Sequence, residues 1–168
     1  SGIPDFRSVD GLYNQHYSYP PEVMLSHRFY VTHTKEFFDF YRAKMLYLDA
    51  QPNAAHIKLA ELERAGKLTA VVTIPTCTCG GTIKPDVVLY EESLNPNTLT
   101  EAVDAIEHAD LLVIGGTSLA VYPAASLIHY YRGNRLVLIN KSTTSMDQNA
   151  DLTIQGSIGE ILGAIQVR

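Results

Sequence analysis

Four small residues, Gly115, Gly116, Thr117 and Ser118, follow the apolar run Leu111–Ile114, and the stretch from Ala109 to Ala125 reads ADLLVIGGTSLAVYPAA. Glycines let the backbone come close to an anion, free amides in such a turn cradle phosphate oxygens, and two hydroxyls add short donors. The chemistry that suits this set is phosphate or nucleotide binding. A tight strand-to-helix turn would use the same residues, and neither a dinucleotide fingerprint nor a Walker lysine is present. Asn140, Lys141 and Ser142 close the run Leu136–Ile139 and suit a ribose or adenine, or a simple polar turn. Gly156, Ser157 and Ile158 form a third loop of the same kind. In SGIPDFRS at the start of the chain, Asp5, Phe6 and Arg7 offer a carboxylate, a flat apolar face and a fixed positive fork beside a proline. A capped loop with a surface ion pair is the plainer reading. Cys77 and Cys79 stand before Gly80 and Gly81, as in one arm of a zinc ribbon, whose structural site needs four ligands, or as two reduced thiols.

The elements that must position these groups alternate in type. Leu111–Ile114 and its flanks suit a strand buried on both faces, as in a parallel sheet covered by helices. Ligands of such sheets sit beyond the carboxyl ends of the strands, where Gly115 to Ser118, Asn140 to Ser142 and Gly156 to Ile158 all fall. Pro52–Ala65 carries apolar residues at helical spacing with Gly66 as its stop, and Leu68–Thr73 is a β-branched strand candidate. Val87–Tyr90 is another short strand, and Leu99, Ala102, Val103 and Ile106 mark a helix before Leu111. Pro123–Tyr131 reads as a helix, Leu136–Ile139 and Ala150–Ile154 as strands, and Ile158–Ile165 as a closing helix. Successive units of this kind predict an α/β fold, a Rossmann-like doubly wound parallel sheet. The tyrosines and phenylalanines of Val23–Phe40 and Glu36–Leu48 suit a helical core better than a binding cage.

Composition narrows the partners. A chain of 168 residues with 46% hydrophobic and 18% charged residues can bury a real core. Thirteen basic against eighteen acidic side chains give a formal charge of −5 without any basic run, which argues against a nucleic-acid backbone as main partner. No apolar stretch approaches a membrane span and no charged-then-apolar leader is seen, so a cytoplasmic location is expected. The start at Ser1, without a methionine, suggests an upstream segment.

Five segments occur in the order found in sirtuins: SGIPDFRS, PNAAH at Pro52–His56, CTCGGTIKPDVVLYEESL at Cys77–Leu94, GGTSLAVYPAA at Gly115–Ala125 and INKS at Ile139–Ser142. The chain resembles a bacterial sirtuin, an NAD-dependent protein-lysine deacylase, over nearly its whole length. The resemblance implies a large Rossmann-like domain at 51–73 and 85–168 with a cofactor-loop remnant at 1–8. It implies a smaller domain with a helical part at 9–50 and a zinc-ribbon remnant at 74–84, in which Cys77 and Cys79 would be zinc ligands. NAD contacts would come from Phe6, Arg7, Gly116, Thr117, Ser118, Asn140 and Ile158. An acyl-lysine peptide would add as a strand between loops Val88–Glu91 and Ser118–Tyr122, touching Val88, Leu89, Tyr90 and Val121. The implied reaction begins with attack of the acyl oxygen on the nicotinamide ribose. A histidine base then activates the ribose hydroxyl that collects the acyl group, giving nicotinamide, free lysine and O-acyl-ADP-ribose.

The chain departs from the family at one internal point. It passes directly from Thr73 to Ile74 and lacks the Gln-Asn-Ile-Asp stretch, the Leu-His-Gly with the general base and the first cysteine pair. None of His16, His27, His33, His56, His108 and His129 has a matching context, and none is assigned a catalytic role. Either a parent chain contains the missing stretch, or the chain is a non-catalytic NAD or ADP-ribose-binding remnant. ADP-ribosyl transfer to protein is a further enzymatic alternative.

Overall fold

The computed structural model describes residues 3–4, 11–71 and 87–167. Their contacts divide them into two units, one from 11–51 and 87–94, the other from 52–71 and 95–167. Residues 87–94 thus group with the helical unit, whereas the sequence reading opens the large domain at 85.

The helical unit holds a 3₁₀ turn, Leu12–Asn14, and helices α1 (Pro21–Met24), α2 (His27–Thr32) and α3 (Thr34–Lys44). Pro21 opens α1, where a missing N–H costs nothing. Ser26 caps α2, its Oγ accepting from the Phe29 amide at 3.1 Å. In α3 the buried residues Phe37, Phe40 and Tyr41 recur at helical spacing and form one inward stripe. Phe37 is fully buried, and its ring meets that of Tyr30 edge-on at 5.2 Å. Leu12, Met24, Leu25, Phe29 and Leu89 complete this core, so the aromatics are packing residues as the sequence suggested.

Within 87–90 the expected strand shrinks to a single parallel bridge between Ser26 and Tyr90. The physical reason lies on either side of Tyr90. The Leu89 amide donates to Glu92 Oε2 at 2.9 Å, and Glu91 adopts a φ of 73°, so the extended ladder cannot continue.

The second unit begins with α4 (Ala54–Arg64). Asn53 accepts from the amides of Ala55 and His56, and the His56 ring reaches back to the Asn53 amide. His56 is therefore a capping residue. After Ala65 the chain turns at Gly66, φ 64°, with Lys67 N donating to Leu62 O and Gly66 N to Glu63 O. That is a Schellman stop, and a Cβ added at Gly66 meets nothing within 4 Å. Gly66→Ala is therefore expected to cost about 1 kcal/mol through backbone strain alone, read as a lowered urea midpoint with an unchanged m-value. Residues 68–71 of the expected strand Leu68–Thr73 are not in a strand, and the remainder lies outside the described residues.

Helix α5 (Pro96–Glu107) leads to β1 (Leu112–Gly115), a 3₁₀ segment (Ala124–Tyr130), β2 (Leu136–Asn140), a 3₁₀ turn (Asp147–Asn149), β3 (Leu152–Gln155) and α6 (Ile158–Gly163). The three strands are parallel in the order β1-β2-β3, with Gly115 beside Ile139 and Asn140 beside Gln155. One face of the sheet is covered by Ala55 of α4 and Leu162 of α6, packed with Ile139. Ala102 and Ile106 of α5 and Leu127 pack with Leu112 of β1 in a second cluster. Helices on both faces make this the doubly wound arrangement the alternation predicts. Two expectations are corrected. The segment after Pro123 is a 3₁₀ helix rather than an α-helix, and β1 is half-exposed rather than buried on both faces, because it is the outer strand of the described sheet.

Candidate functional site

The ends of the three strands bring the predicted loops to one edge of the second unit. Each loop is fixed to its neighbour by backbone bonds. Gly116 N donates to Ile139 O at 3.0 Å, and Gly156 N donates to Asn140 O at 2.9 Å. Gln155 Nε2, which the sequence reading passed over, donates to Lys141 O at 3.0 Å. Gly116, Thr117, Ser118, Asn140 and Ile158 are thus gathered on one edge of one unit.

Asn140 is the hinge of this arrangement. Its side chain is 9% exposed, and Oδ1 accepts from the Thr117 amide at 3.0 Å. Its Nδ2 is buried with no protein partner. Unmet donors inside a protein cost about 1–3 kcal/mol each, so they persist where something else supplies the acceptor. Thr117 Oγ1 accepts from the Leu119 amide at 3.2 Å, which leaves its hydroxyl proton to donate outward. Gly116 has a φ of 67°, and an added Cβ would find only Ile158 Cγ2 at 3.9 Å. An amide run held in this conformation, two hydroxyls and a buried unspent amide form a donor set for a phosphorylated, ribose-bearing ligand. The residues present therefore fit a nucleotide cofactor.

Gly115 has a different purpose from the one its sequence context suggests. A Cβ there would lie 2.3 Å from Ile158 Cδ1 and 3.3 Å from the Ile139 carbonyl oxygen. Its missing side chain admits α6 against the sheet. We expect Gly115→Ala to destabilise the fold by about 1–3 kcal/mol through overpacking. The double change with Ile158→Val should recover part of that loss in denaturant titrations.

The residues expected to meet a peptide fall in both units. Val88, Leu89 and Tyr90 belong to the helical unit, and Val121 is an exposed residue of the other. The Leu89 side chain is 3% exposed and lies in the helical core, so it contributes packing. Tyr90 is clamped on both backbone groups, its N–H to Leu25 O at 3.1 Å and its carbonyl to the His27 amide at 2.9 Å. Glu92 Oε1 meets His27 Nδ1 at 2.8 Å, and Glu91 Oε2 accepts from the Arg28 amide at 3.0 Å. Glutamates 91 and 92 were not singled out from sequence. A glutamate gives no local signal for a positive φ, so the role is visible only in the fold. The residues with positive φ other than glycine, among those described, are Glu91 and Leu119, one in each predicted peptide loop.

Phe6, Arg7, Cys77 and Cys79 lie outside the described residues. Among the described residues no cluster of potential metal ligands occurs. Four of the histidines, His27, His33, His56 and His108, have local partners elsewhere. His33 stacks on Phe29 with ring centroids 4.7 Å apart, and His108 ends α5, where bonding to the Asp104 carbonyl raises its pKa. His16, His27, His56 and His129 also lie outside the three strand-end loops.

A three-stranded parallel core wound with helices, carrying a donor-lined cradle at its carboxyl edge, defines a nucleotide-binding α/β protein. The Sir2 family model matches residues 1–75 and 73–123. The chain is 47% identical to an NAD-dependent protein deacetylase of Clostridium tetani, over 98% of this chain and 86% of that one. It is 46% identical to one of Clostridium acetobutylicum, over 98% and 87%. Among solved structures, one concerned with the mechanism and regulation of Sir2 enzymes superposes with a TM-score of 0.82 at 31% identity, covering 97% of this chain and 84% of that one. A Sir2 complex with a deacetylated p53 peptide and 3'-O-acetyl-ADP-ribose gives 0.82 at 27%, over 96% and 85%. The chain belongs to the Sir2 family. The alignment to the C. tetani relative spans 213 positions against 168 residues here, and the two pieces of the family match meet at 73–75.

Proposed function

We propose that the strand-end loops hold NAD and that the chain acts in NAD-dependent protein-lysine deacylation. Its activity is that of an NAD-dependent protein deacetylase, as its relatives are named, provided the parent chain contains the Leu-His-Gly stretch that is absent between Thr73 and Ile74. The observation that carries the reading is Asn140, whose Oδ1 shapes the Thr117 turn while its buried Nδ2 waits for an acceptor. In this reading Gly116, Thr117 and Ser118 donate to the phosphates, Asn140 to a ribose oxygen, and Ile158 lies against the adenine. By the resemblance, Phe6 belongs near the nicotinamide ribose and Arg7 also contacts NAD, in a loop whose role is to keep water away until the acyl oxygen arrives. The acyl-lysine peptide would lie extended beside Val88, Leu89, Tyr90 and Val121, the backbone groups of Leu89 and Tyr90 being already bonded to Leu25, His27 and Glu92. When bound, NAD supplies the ADP-ribose that collects the acyl group. Zinc at Cys77 and Cys79 needs the first cysteine pair as well, and the general base needs the Leu-His-Gly stretch. No described helix is long and apolar enough to cross a membrane.

Calorimetric titration with NAD and with ADP-ribose tests the cradle directly. Saturable binding that competes between the two supports it, and no binding of either sinks it. A second reading rests on the split family match at 73–75, which fits a chain that binds NAD or ADP-ribose without turning it over. Release of nicotinamide separates the two.

A further inference from the structure

The helical unit contains a cavity of about 390 Å³ that belongs to no part of the cradle. Its walls include Tyr19, Val23, Phe29 and Tyr90, with Tyr19 edge-on to Phe29 at 5.2 Å and His33 stacked on the same ring. Two carboxylates, Glu22 and Glu91, share the lining with one guanidinium, Arg28. Arg28 meets Glu91 only at 3.8 Å, with 81% of its side chain in solvent, and Glu22 has no salt bridge among the described residues. The lining therefore keeps a carboxylate without a cation beside exposed aromatic surface. Tyr90 is both a wall of this cavity and part of the segment assigned to the peptide.

We propose that this cavity takes a long cationic side chain, arginine or unmodified lysine, that neighbours the acyl-lysine in the substrate. The proposal rests on the reading that Val88–Tyr90 receives the peptide as a strand, which would carry flanking residues past the cavity mouth. The aliphatic stem of such a side chain covers Val23 and the aromatic rings, while its head lies over a ring face and reaches a carboxylate. Arginine suits this best, since its planar fork both stacks on rings and pairs with carboxylates. Glu91 is held in place for the task, its backbone in the left-handed region and its Oε2 tied to the Arg28 amide. An acidic neighbour is rejected by the same charges, so the cavity discriminates by repulsion as well as attraction.

The test is fluorescence titration of the chain with acetyl-lysine peptides identical except for Arg, Ala or Glu beside the acetyl-lysine. At low ionic strength the Arg peptide should bind about three- to tenfold more tightly than the Glu peptide, and the gap should narrow at high salt. Glu22→Lys should reverse the order while leaving the Ala peptide unchanged. Arg28→Ala removes the competing cation and should widen the gap. Equal binding of all three peptides, or an order indifferent to Glu22→Lys, overturns the proposal and leaves the peptide segment standing. Failure of every peptide to bind overturns the assignment of Val88–Tyr90 itself and the proposal with it.

Discussion

A polypeptide of this sequence should release no nicotinamide from NAD in the presence of an acetyl-lysine peptide. Inserting between Thr73 and Ile74 the family stretch missing there, with its Gln-Asn-Ile-Asp, Leu-His-Gly and first cysteine pair, should raise turnover by a factor on the order of 10³ or more. The size follows from what the stretch contains by family resemblance. A positioned general base is worth about 10²–10⁴ in rate. Nicotinamide contacts and a closed zinc site would add to it. The chain itself offers no matching base, because His27, His33, His56 and His108 are engaged in pairing, stacking or capping and His16 and His129, like them, lie outside the strand-end loops. The measurement is nicotinamide release by chromatography, with and without peptide. Turnover by the uninterrupted 168-residue chain would refute the expectation and point to a base supplied from another residue.

The second large effect concerns Asn140, where two substitutions separate folding from binding. Asn140→Asp keeps an oxygen to accept the Thr117 amide but removes the Nδ2 donor and brings a negative charge to a phosphate cradle. We expect NAD affinity to fall at least tenfold to a hundredfold, since a lost charged or buried hydrogen bond and added repulsion act together, on the order of 1.4–2.8 kcal/mol. Stability in the absence of ligand should also fall somewhat, because a buried carboxylate without a cation is costly, but the Thr117 amide keeps its acceptor. Asn140→Leu also strips the acceptor from Thr117, so it should lower both affinity and the denaturation midpoint. Calorimetry for NAD and urea unfolding for stability read the two effects independently. Equal NAD affinity in the Asp variant would remove Asn140 from the cofactor site.

Much of the second unit was legible because its signals are local. The runs ending in Gly-Gly-Thr-Ser, Asn-Lys-Ser and Gly-Ser each became a parallel strand with its polar loop at the same edge, displaced by only a residue or two. Helix stops were legible for the same reason, as Gly66 shows through its positive φ. What was hidden depends on distant partners. Residues 68–71, with β-branched Thr69 and Val71, have some strand propensity, yet a strand forms only where another strand pairs with it. The segment 87–90 has the right composition, but the Glu92 carboxylate on the Leu89 amide and the left-handed Glu91 limit it to one bridge. Gly115 was legible as a required glycine for a partly mistaken reason. Its sequence neighbours suggest an anion, whereas its spatial neighbour is Ile158.

That contact between Gly115 and Ile158 ties two events together. The last helix cannot rise from the sheet without withdrawing Ile158 from the turn that shapes Gly116 and Thr117, and the turn cannot relax without loosening the helix. The cradle and the final helix therefore open as one cooperative unit. A ligand held by the donors after β1 would slow exchange of the α6 amides with solvent, although its phosphates need touch none of them.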